Sequence, residues 1–523
     1  MTSQISSIDI AIIIIYFIIV LGIGIVIAMR TKTSEDLFLG GRTFTWGLIG
    51  VSLFASNVST TTIMGLSGAA YSTGIATSVY EWMSGIPLII AALVFVPLYL
   101  RSKITTIPEF LSKRFDRRSQ VFFSSATIFA SILVEMAGGL YAGGLVLQTF
   151  FPNLEIWQAA YALALIAGLY TAFGGLKAVV YTDAIQAVIL VVGCSILTYM
   201  LFAKLDFSWD KVLASTPDNH FSVVRPMDDP SLPWPGILLG VQLLGFWYWS
   251  TNQYIVQRIL GARDIKHARW GVIFAGFLKV LPLFIMVIPG AMAISLFPGL
   301  ETPDTVFPTL VTEVLPVGMI GLVLAGLIAA IMSSVDSTLN SSSTLIVIDF
   351  IKPRKPNITE RQLKVYGSIT TLVLMVIAAS WAPMIQQFGG IWDYLQQMYS
   401  IFVPPVVVLF LVGVFYKRGN GDGAFWTLVI GTIIGIAFFV LQINGLWHLH
   451  FTITVGITIA ICTAIFVIVS NMTAPPSQEV IDQLTFKKDL IYMGTEGLPW
   501  YKNYLYQTGL LASIIFIILI VLW

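Results

Sequence analysis

The sequence predicts an all-α polytopic membrane protein of about fourteen transmembrane helices, some of them discontinuous, and three observations carry that prediction. Of its 523 residues 57% are hydrophobic and only 11% are charged. Mean hydropathy is +0.87, far from the balance of a water-soluble globule. Apolar runs long enough to cross a hydrocarbon core recur along the whole length, so 1–523 reads as a single transmembrane domain embedded in a lipid bilayer. The basic residues fall in alternate loops, as they do where one side of a membrane collects Lys and Arg.

Composition also excludes several function classes. A net charge of +1 offers no surface to an acidic polymer, so nucleic acid is not a partner. Cys194 and Cys462 stand in separate apolar runs without metal-type spacing, and the four histidines lie in loops or near the ends of runs. The sequence has no H-E-x-x-H, no G-x-x-x-x-G-K phosphate loop and no set of nucleophile, acid and base. It does not read as an enzyme or an ATP-driven pump.

The elements follow in order. The first run, 10–29, lacks a basic leader and exceeds the length of a signal-peptide core, so it reads as a span. The second, 45–71, carries Ala55-Ser-Asn-Val-Ser-Thr-Thr-Thr62. Ser, Asn and Thr compete for backbone hydrogen bonds, so this helix should loosen there and free carbonyls near mid-membrane. The third (77–100) and fourth (119–150) bring Glu81 and Glu135 into apolar surroundings. The fifth (156–176) and sixth (179–203) are joined by a turn at Gly174-Gly-Leu-Lys177, and the sixth holds Asp183. A proline-rich loop without cysteines follows, over 204–232.

The seventh span, 234–257, places Phe246-Trp-Tyr-Trp249 before Ser250-Thr-Asn-Gln253. Aromatic faces beside amides and hydroxyls suit a solute with apolar faces and polar edges. The eighth, 270–297, contains Lys279, and a charge at that depth costs at least about 2.5–3.5 kcal/mol. It requires a partner, and Glu81, Glu135, Asp183, Asp336 and Asp393 are the candidate acids. In the ninth, 315–350, Ala330, Ser333, Ser334 and Ser337 share one helix face by their i, i+3, i+4, i+7 spacing. Hydroxyl and carbonyl oxygens of this kind suit a hard monovalent cation, to which Asp336 or Asp183 could add charge. The tenth (365–386), eleventh (390–416), twelfth (423–443), thirteenth (447–470) and fourteenth (505–523) complete the count, with 471–504 as a polar tether.

All but four of the 28 basic residues follow odd-numbered spans; Lys204, Lys211 and Arg225 lie in even loops and Lys279 within a span. The odd loops therefore belong inside, which places both termini outside the cytoplasm of a multi-pass cell-membrane protein.

Eight motifs resemble those of a known family: Ser52-Leu-Phe-Ala-Ser-Asn57, Tyr80-Glu-Trp82, Thr106-Ile-Pro-Glu-Phe110, Tyr181-Thr-Asp-Ala-Ile-Gln186, Trp247-Tyr-Trp249, Tyr254-Ile-Val-Gln-Arg258, Ser333-Ser334 and Asp393-Tyr-Leu-Gln396. Together they resemble the sodium/solute symporters and, within them, the sodium/glucose cotransporters. The resemblance implies a leucine-transporter-like 5+5 inverted repeat, 45–203 against 234–416, with 423–523 as additional helices. It implies a sodium ion held by backbone oxygens of Ala55, Val58 and Ala330 and the hydroxyls of Ser333 and Ser334. Some members hold a second sodium at positions that match Asp183, Ser333, Asp336 and Ser337. The sugar-contacting positions match Asn57, Glu81, Ser84, Tyr248, Lys279 and Gln396, with Trp249 behind Tyr248. Thr62 stands where sugar cotransporters carry His or Gln, and Gly245 where one carries Asn. The implied function is sodium-coupled import of a small polar solute, a sugar first, by alternating access. Sialic acid, inositol or proline as the solute, and a sensor that binds without transporting, are the alternatives.

Overall fold

The computed structural model describes residues 6–151, 153–229, 231–300, 303–388 and 391–523, apart from the side chains of 149, 150, 170, 304, 386–388, 391–394, 396 and 397. Among the described residues the architecture is helical, and one isolated β-bridge joins Phe44 to Ala262. The helices that position the site are α1 (Ser7–Arg30), α2 (Trp46–Asn57), α3 (Thr60–Thr73), α4 (Ile75–Arg101), α5 (Arg117–Gln148) and α6 (Ile156–Lys204). After them come α7 (Gln242–Thr251), α8 (Gln253–Leu260), α9 (Ile265–Leu296), α10 (Met319–Arg354), α11 (Glu360–Ile385) and α12 (Met398–Phe415). The chain closes with α13 (Gly421–Ile443), α14 (Phe451–Met472) and α15 (Tyr504–Val521).

Among the described residues eleven helices are long and apolar enough to cross a membrane, or twelve if the bent pair α2 and α3 forms one span. This count differs from the expected fourteen at two places, each for a local reason. The expected fifth and sixth spans run together as α6, in which Gly175 alone leaves helical geometry (φ 58, ψ −156), and the apolar helix before it, Ile156–Leu169, is short. The expected seventh span is interrupted at Asn252 (φ −71, ψ 127), whose side chain caps α8 by accepting from the Tyr254 N–H at 3.3 Å. The helical stretch before the break, 234–251, is long enough but not among the apolar crossings, and Gln253–Leu260 after it is too short to cross by itself.

The loosening expected in the second span is a clean break. Between α2 and α3 the axis turns by 60°, with Val58 outside helical geometry and Ser59 capping α3 through its Oγ and the Thr62 N–H at 3.2 Å. Burial sorts the helices by role. α10 is the centre, with 83% of its most apolar window buried against 17% for α1. Ile14, Ile15, Ile18 and Ile25 of α1 are left facing outward, as a lipid-facing helix requires. α6 lies along α10, α2 packs on α6 and α9, and buried Arg269 fastens 490–504 by donating to the carbonyls of Ala92 (3.0 Å) and Met493 (2.6 Å).

The turn in α6 fixes how its two halves meet α1 and α10. Gly175 has the positive φ that side chains resist, and a Cβ there would strike the Leu37 carbonyl. Gly175→Ala should lower stability by about 1–2 kcal/mol or more, read as a lower Tm in detergent; an unchanged Tm would mean the turn is freely rebuilt.

Candidate functional site

The break in α2–α3 has a direct electrostatic consequence. The Val58 N–H reaches the Phe54 carbonyl (3.0 Å) and the Ser59 N–H turns to that of Asn57 (2.9 Å). The Ala55 carbonyl thereby loses the donor an unbroken helix would supply. Thr60 Oγ1 donates to the Leu327 carbonyl at 3.1 Å, which fastens the broken segment to α10. Ala55, Val58 and Ala330 lie in one buried cluster. The structure therefore brings the five expected sodium-ligand positions to a single junction of α2 and α10, where neutral oxygens suit a desolvated monovalent cation.

The two serines of that junction behave differently. Ser334 lines a cavity of about 170 Å³ and donates to the Ala330 carbonyl at 3.1 Å. Ser333 donates to Asp183 Oδ1 at 2.6 Å. Asp183 also accepts from Ser52, from Ser56 (3.2 Å) and from the guanidinium of Arg258 (3.0 Å), and both members of this ion pair are fully buried. Arg258 donates in addition to Ser52 (2.6 Å), Ser56 and Ser337. Asp336, also buried, accepts from Ser337 at 3.2 Å. Asp183 and Ser337, two of the positions matched to a second sodium, thus surround a guanidinium that belongs to the protein. Arg258 reads from sequence as a basic residue of the loop after the seventh span; it is instead a buried residue of α8.

Lys279 finds its partner among the expected acids. It sits where α9 relaxes from helix, and its Nζ donates to Glu81 and to Asn57 Oδ1. The charge is thus neutralised inside the membrane by a residue from α4 and oriented by the last residue of α2. Trp249 closes over it, its ring centre 5.6 Å from Nζ, and packs edge-on to Tyr248 with centroids 5.1 Å apart. Tyr248 Oη in turn accepts from Tyr254 Oη at 2.7 Å. Asn57, Thr62, Glu81, Ser84, Tyr248 and Trp249 all line the cavity that Ser334 lines, whereas Lys279 stands behind its wall. Ser84 Oγ donates to the Tyr80 carbonyl (2.7 Å) and Thr62 Oγ1 to that of Asn57 (3.2 Å). The side chains of Gln396 and Asp393 lie outside the described residues. Gly245 also lines the cavity, and a Cβ there would come within 3.3 Å of Pro87.

Glu135, singled out from sequence only as an intramembrane acid, lines the same cavity with Thr338 and Tyr399. It accepts from Tyr399 Oη at 2.8 Å and from Asn252 Nδ2 at 3.3 Å. The Asn252 that interrupts the seventh span therefore also orients this carboxylate. No signal in the sequence joins the two, which stand 117 positions apart.

The model of the Sodium:solute symporter family matches residues 37–431, which takes in every site residue named above. Human sodium/myo-inositol cotransporter 2 is 35% identical over 533 residues, covering 91% of this chain and 78% of that protein. Sodium/glucose cotransporter 1 of Oryctolagus cuniculus is 35% identical over 472 residues, covering 82% and 71%. In three dimensions the chain is similar to a Na+-coupled sialic acid symporter in a substrate-bound outward-open state. The TM-score is 0.82 at 24% identity, with 90% of this chain and 99% of that one covered, which establishes a shared fold.

Breaking the Lys279–Glu81 pair leaves one buried charge without compensation. Lys279→Met alone should cost about 3–5 kcal/mol, whereas Lys279→Met with Glu81→Met should recover most of that loss. Thermal unfolding of the three proteins checks this, and equal losses in the single and double variants would contradict the pairing.

Proposed function

This chain belongs to the sodium:solute symporter family, and from that premise we propose that it imports a sugar or cyclic polyol with one sodium ion per solute. It is a sodium-coupled symporter in a membrane, with sodium as the coupling ion and a small solute as cargo. The single observation that carries the choice of solute is the set of polar groups around Tyr248. Glu81, held against Lys279, together with Asn57 and Ser84, presents both acceptors and donors beside the faces of Tyr248 and Trp249. A ring that carries hydroxyls at its edges and C–H groups on its faces fits that combination. Two relatives over most of whose length this chain aligns are named for glucose and myo-inositol.

In this reading sodium enters from outside and is held by the carbonyls of Ala55, Val58 and Ala330 with Ser333 and Ser334. It bridges α2 and α10 and stabilises the conformation that accepts solute. The solute binds against Asn57, Thr62, Glu81, Ser84, Tyr248 and Gln396, with Lys279 polarising Glu81 and Trp249 supporting the Tyr248 gate. Rocking of one half of the bundle against the other then opens the site inward. Because the sodium ligands are neutral, each turnover moves one uncompensated charge, worth about 2.3 kcal/mol per 100 mV. Arg258 supports a stoichiometry of one, since it already supplies Asp183 with a counter-charge.

The topology proposed with this mechanism counts Ile156–Leu169 and the interrupted 234–260 stretch as crossings, giving fourteen. The two inverted repeats are 45–203 and 234–416, in the leucine-transporter arrangement, with 423–523 as added helices. Both termini face away from the cytoplasm of the cell membrane.

Uptake of labelled glucose, myo-inositol, sialic acid and proline into proteoliposomes, with sodium or potassium outside, tests the reading. Wild type should accumulate glucose or myo-inositol only with sodium, and Ser334→Ala should lower that uptake at least about tenfold through loss of a cation ligand. Sodium-driven uptake of proline or sialic acid alone would overturn the solute, and binding without flux would identify a sensor.

A further inference from the structure

A second cavity, of about 400 Å³, opens at the basic end of the bundle, remote from the solute site. Three separate connections converge on it. Arg42 comes from the segment before α2, Arg101 and Lys103 from the end of α4, and Arg263 from the turn between α8 and α9. Asp264 is the acid in its wall, and it lies 3.5 Å from Arg263. Arg42 is engaged by Glu35 at 3.0 Å and by the carbonyls of Leu260 (3.1 Å) and Ile104 (3.4 Å). The side chains of Arg101 and Lys103 are exposed and have no ion pair or hydrogen bond among the described residues. Lys103 is held there by a left-handed backbone (φ 48), uncommon for a residue with a side chain.

Like charges gathered from separate loops repel one another unless an anion lies between them. The remaining wall is apolar, with Pro97, Leu100 and Met493. The depth is also informative. α4 ends at Arg101 and α9 begins at Ile265, so the cavity stands at the end of two crossings, where lipid headgroups lie. A phosphate-bearing anion joined to a hydrocarbon chain satisfies all three features, and a bare anion would leave the apolar wall in water.

We propose that this cavity binds the phosphate headgroup of one anionic phospholipid, with Arg101 and Lys103 as its principal cationic contacts and Leu100 and Met493 against the first part of an acyl chain. Occupancy joins these ends of α4 and α9 to the segment before α2, so the lipid favours the conformations in which they stay together. The proposal requires only that the chain span a membrane and is independent of the solute.

The full chain in detergent, titrated with phosphatidylglycerol or phosphatidylcholine and weighed by native mass spectrometry, tests it. Wild type should retain one phosphatidylglycerol that the Arg101→Gln, Lys103→Gln double variant binds at least about tenfold more weakly, and phosphatidylcholine should not replace it. The charge-conserving pair Arg101→Lys, Lys103→Arg should keep the lipid, and loss of binding there would overturn the assignment. Equal retention by wild type and the Gln variant would also overturn it, as would displacement by inorganic phosphate at equal concentration, which would identify a soluble anion. Sodium-dependent uptake by the Gln variant in phosphatidylcholine vesicles reports its fold separately.

Discussion

A helix broken inside a membrane is the constraint to which the rest of this structure answers. Hydrocarbon offers no hydrogen bonds, so the backbone freed at Val58 and Ser59 must be covered by protein or face a polar cavity. Both conditions are met. α10, the most buried crossing, covers one side and receives Thr60 at its Leu327 carbonyl, while the other side opens on the cavity lined by Asn57, Ser59 and Ser334. The same break exposes the Ala55 carbonyl and ends α2 at Asn57, where the side chain can orient Lys279. The proposed cation site and the proposed solute site are thus two sides of one local failure of helix geometry.

Among the described residues two ion pairs are buried in the bundle, and their surroundings give them different work. Arg258 and Asp183 are closed in by Ser52, Ser56, Ser333 and Ser337, so their charges are matched without help from any ligand. Lys279 and Glu81 are joined to each other, but Glu81 also forms part of the cavity wall. A buried pair is poor stabilisation compared with apolar packing, which makes an ion pair at a cavity wall more intelligible as recognition than as support. Tyr248 packs edge-on against Trp249 and accepts from the Tyr254 hydroxyl, and Glu135, oriented by Asn252, lines the same cavity as Glu81 and Tyr248.

The membrane class and the place of the break were legible because they depend on local composition. Lys279 was conspicuous as the one basic residue placed within an apolar run, and Glu81 stood among its five possible partners. Arg258 was not, because a basic residue at the end of a span is what an inner loop normally supplies. Asp183 stood only as one of five acids offered to Lys279 or to a cation, and nothing in the sequence singled out Arg258 as its partner. Helix periodicity placed Ser333 and Ser334 on one face but could not divide them, since only the neighbours decide that one meets Asp183 and the other the cavity. The count of spans is least legible where a single residue, Gly175 or Asn252, leaves helical geometry within an apolar stretch.

In the proposed mechanism sodium binds among neutral oxygens at the α2–α10 junction while Arg258 compensates the charge of Asp183. The most direct test is the ratio of charge moved to neutral sugar or polyol accumulated, measured in voltage-clamped membranes from current and labelled uptake together. One elementary charge per solute is the expected ratio. A ratio of two would require a second sodium and contradict the role given to Arg258, and a ratio near zero would mean that the sodium charge is compensated and that the neutral cage is wrong.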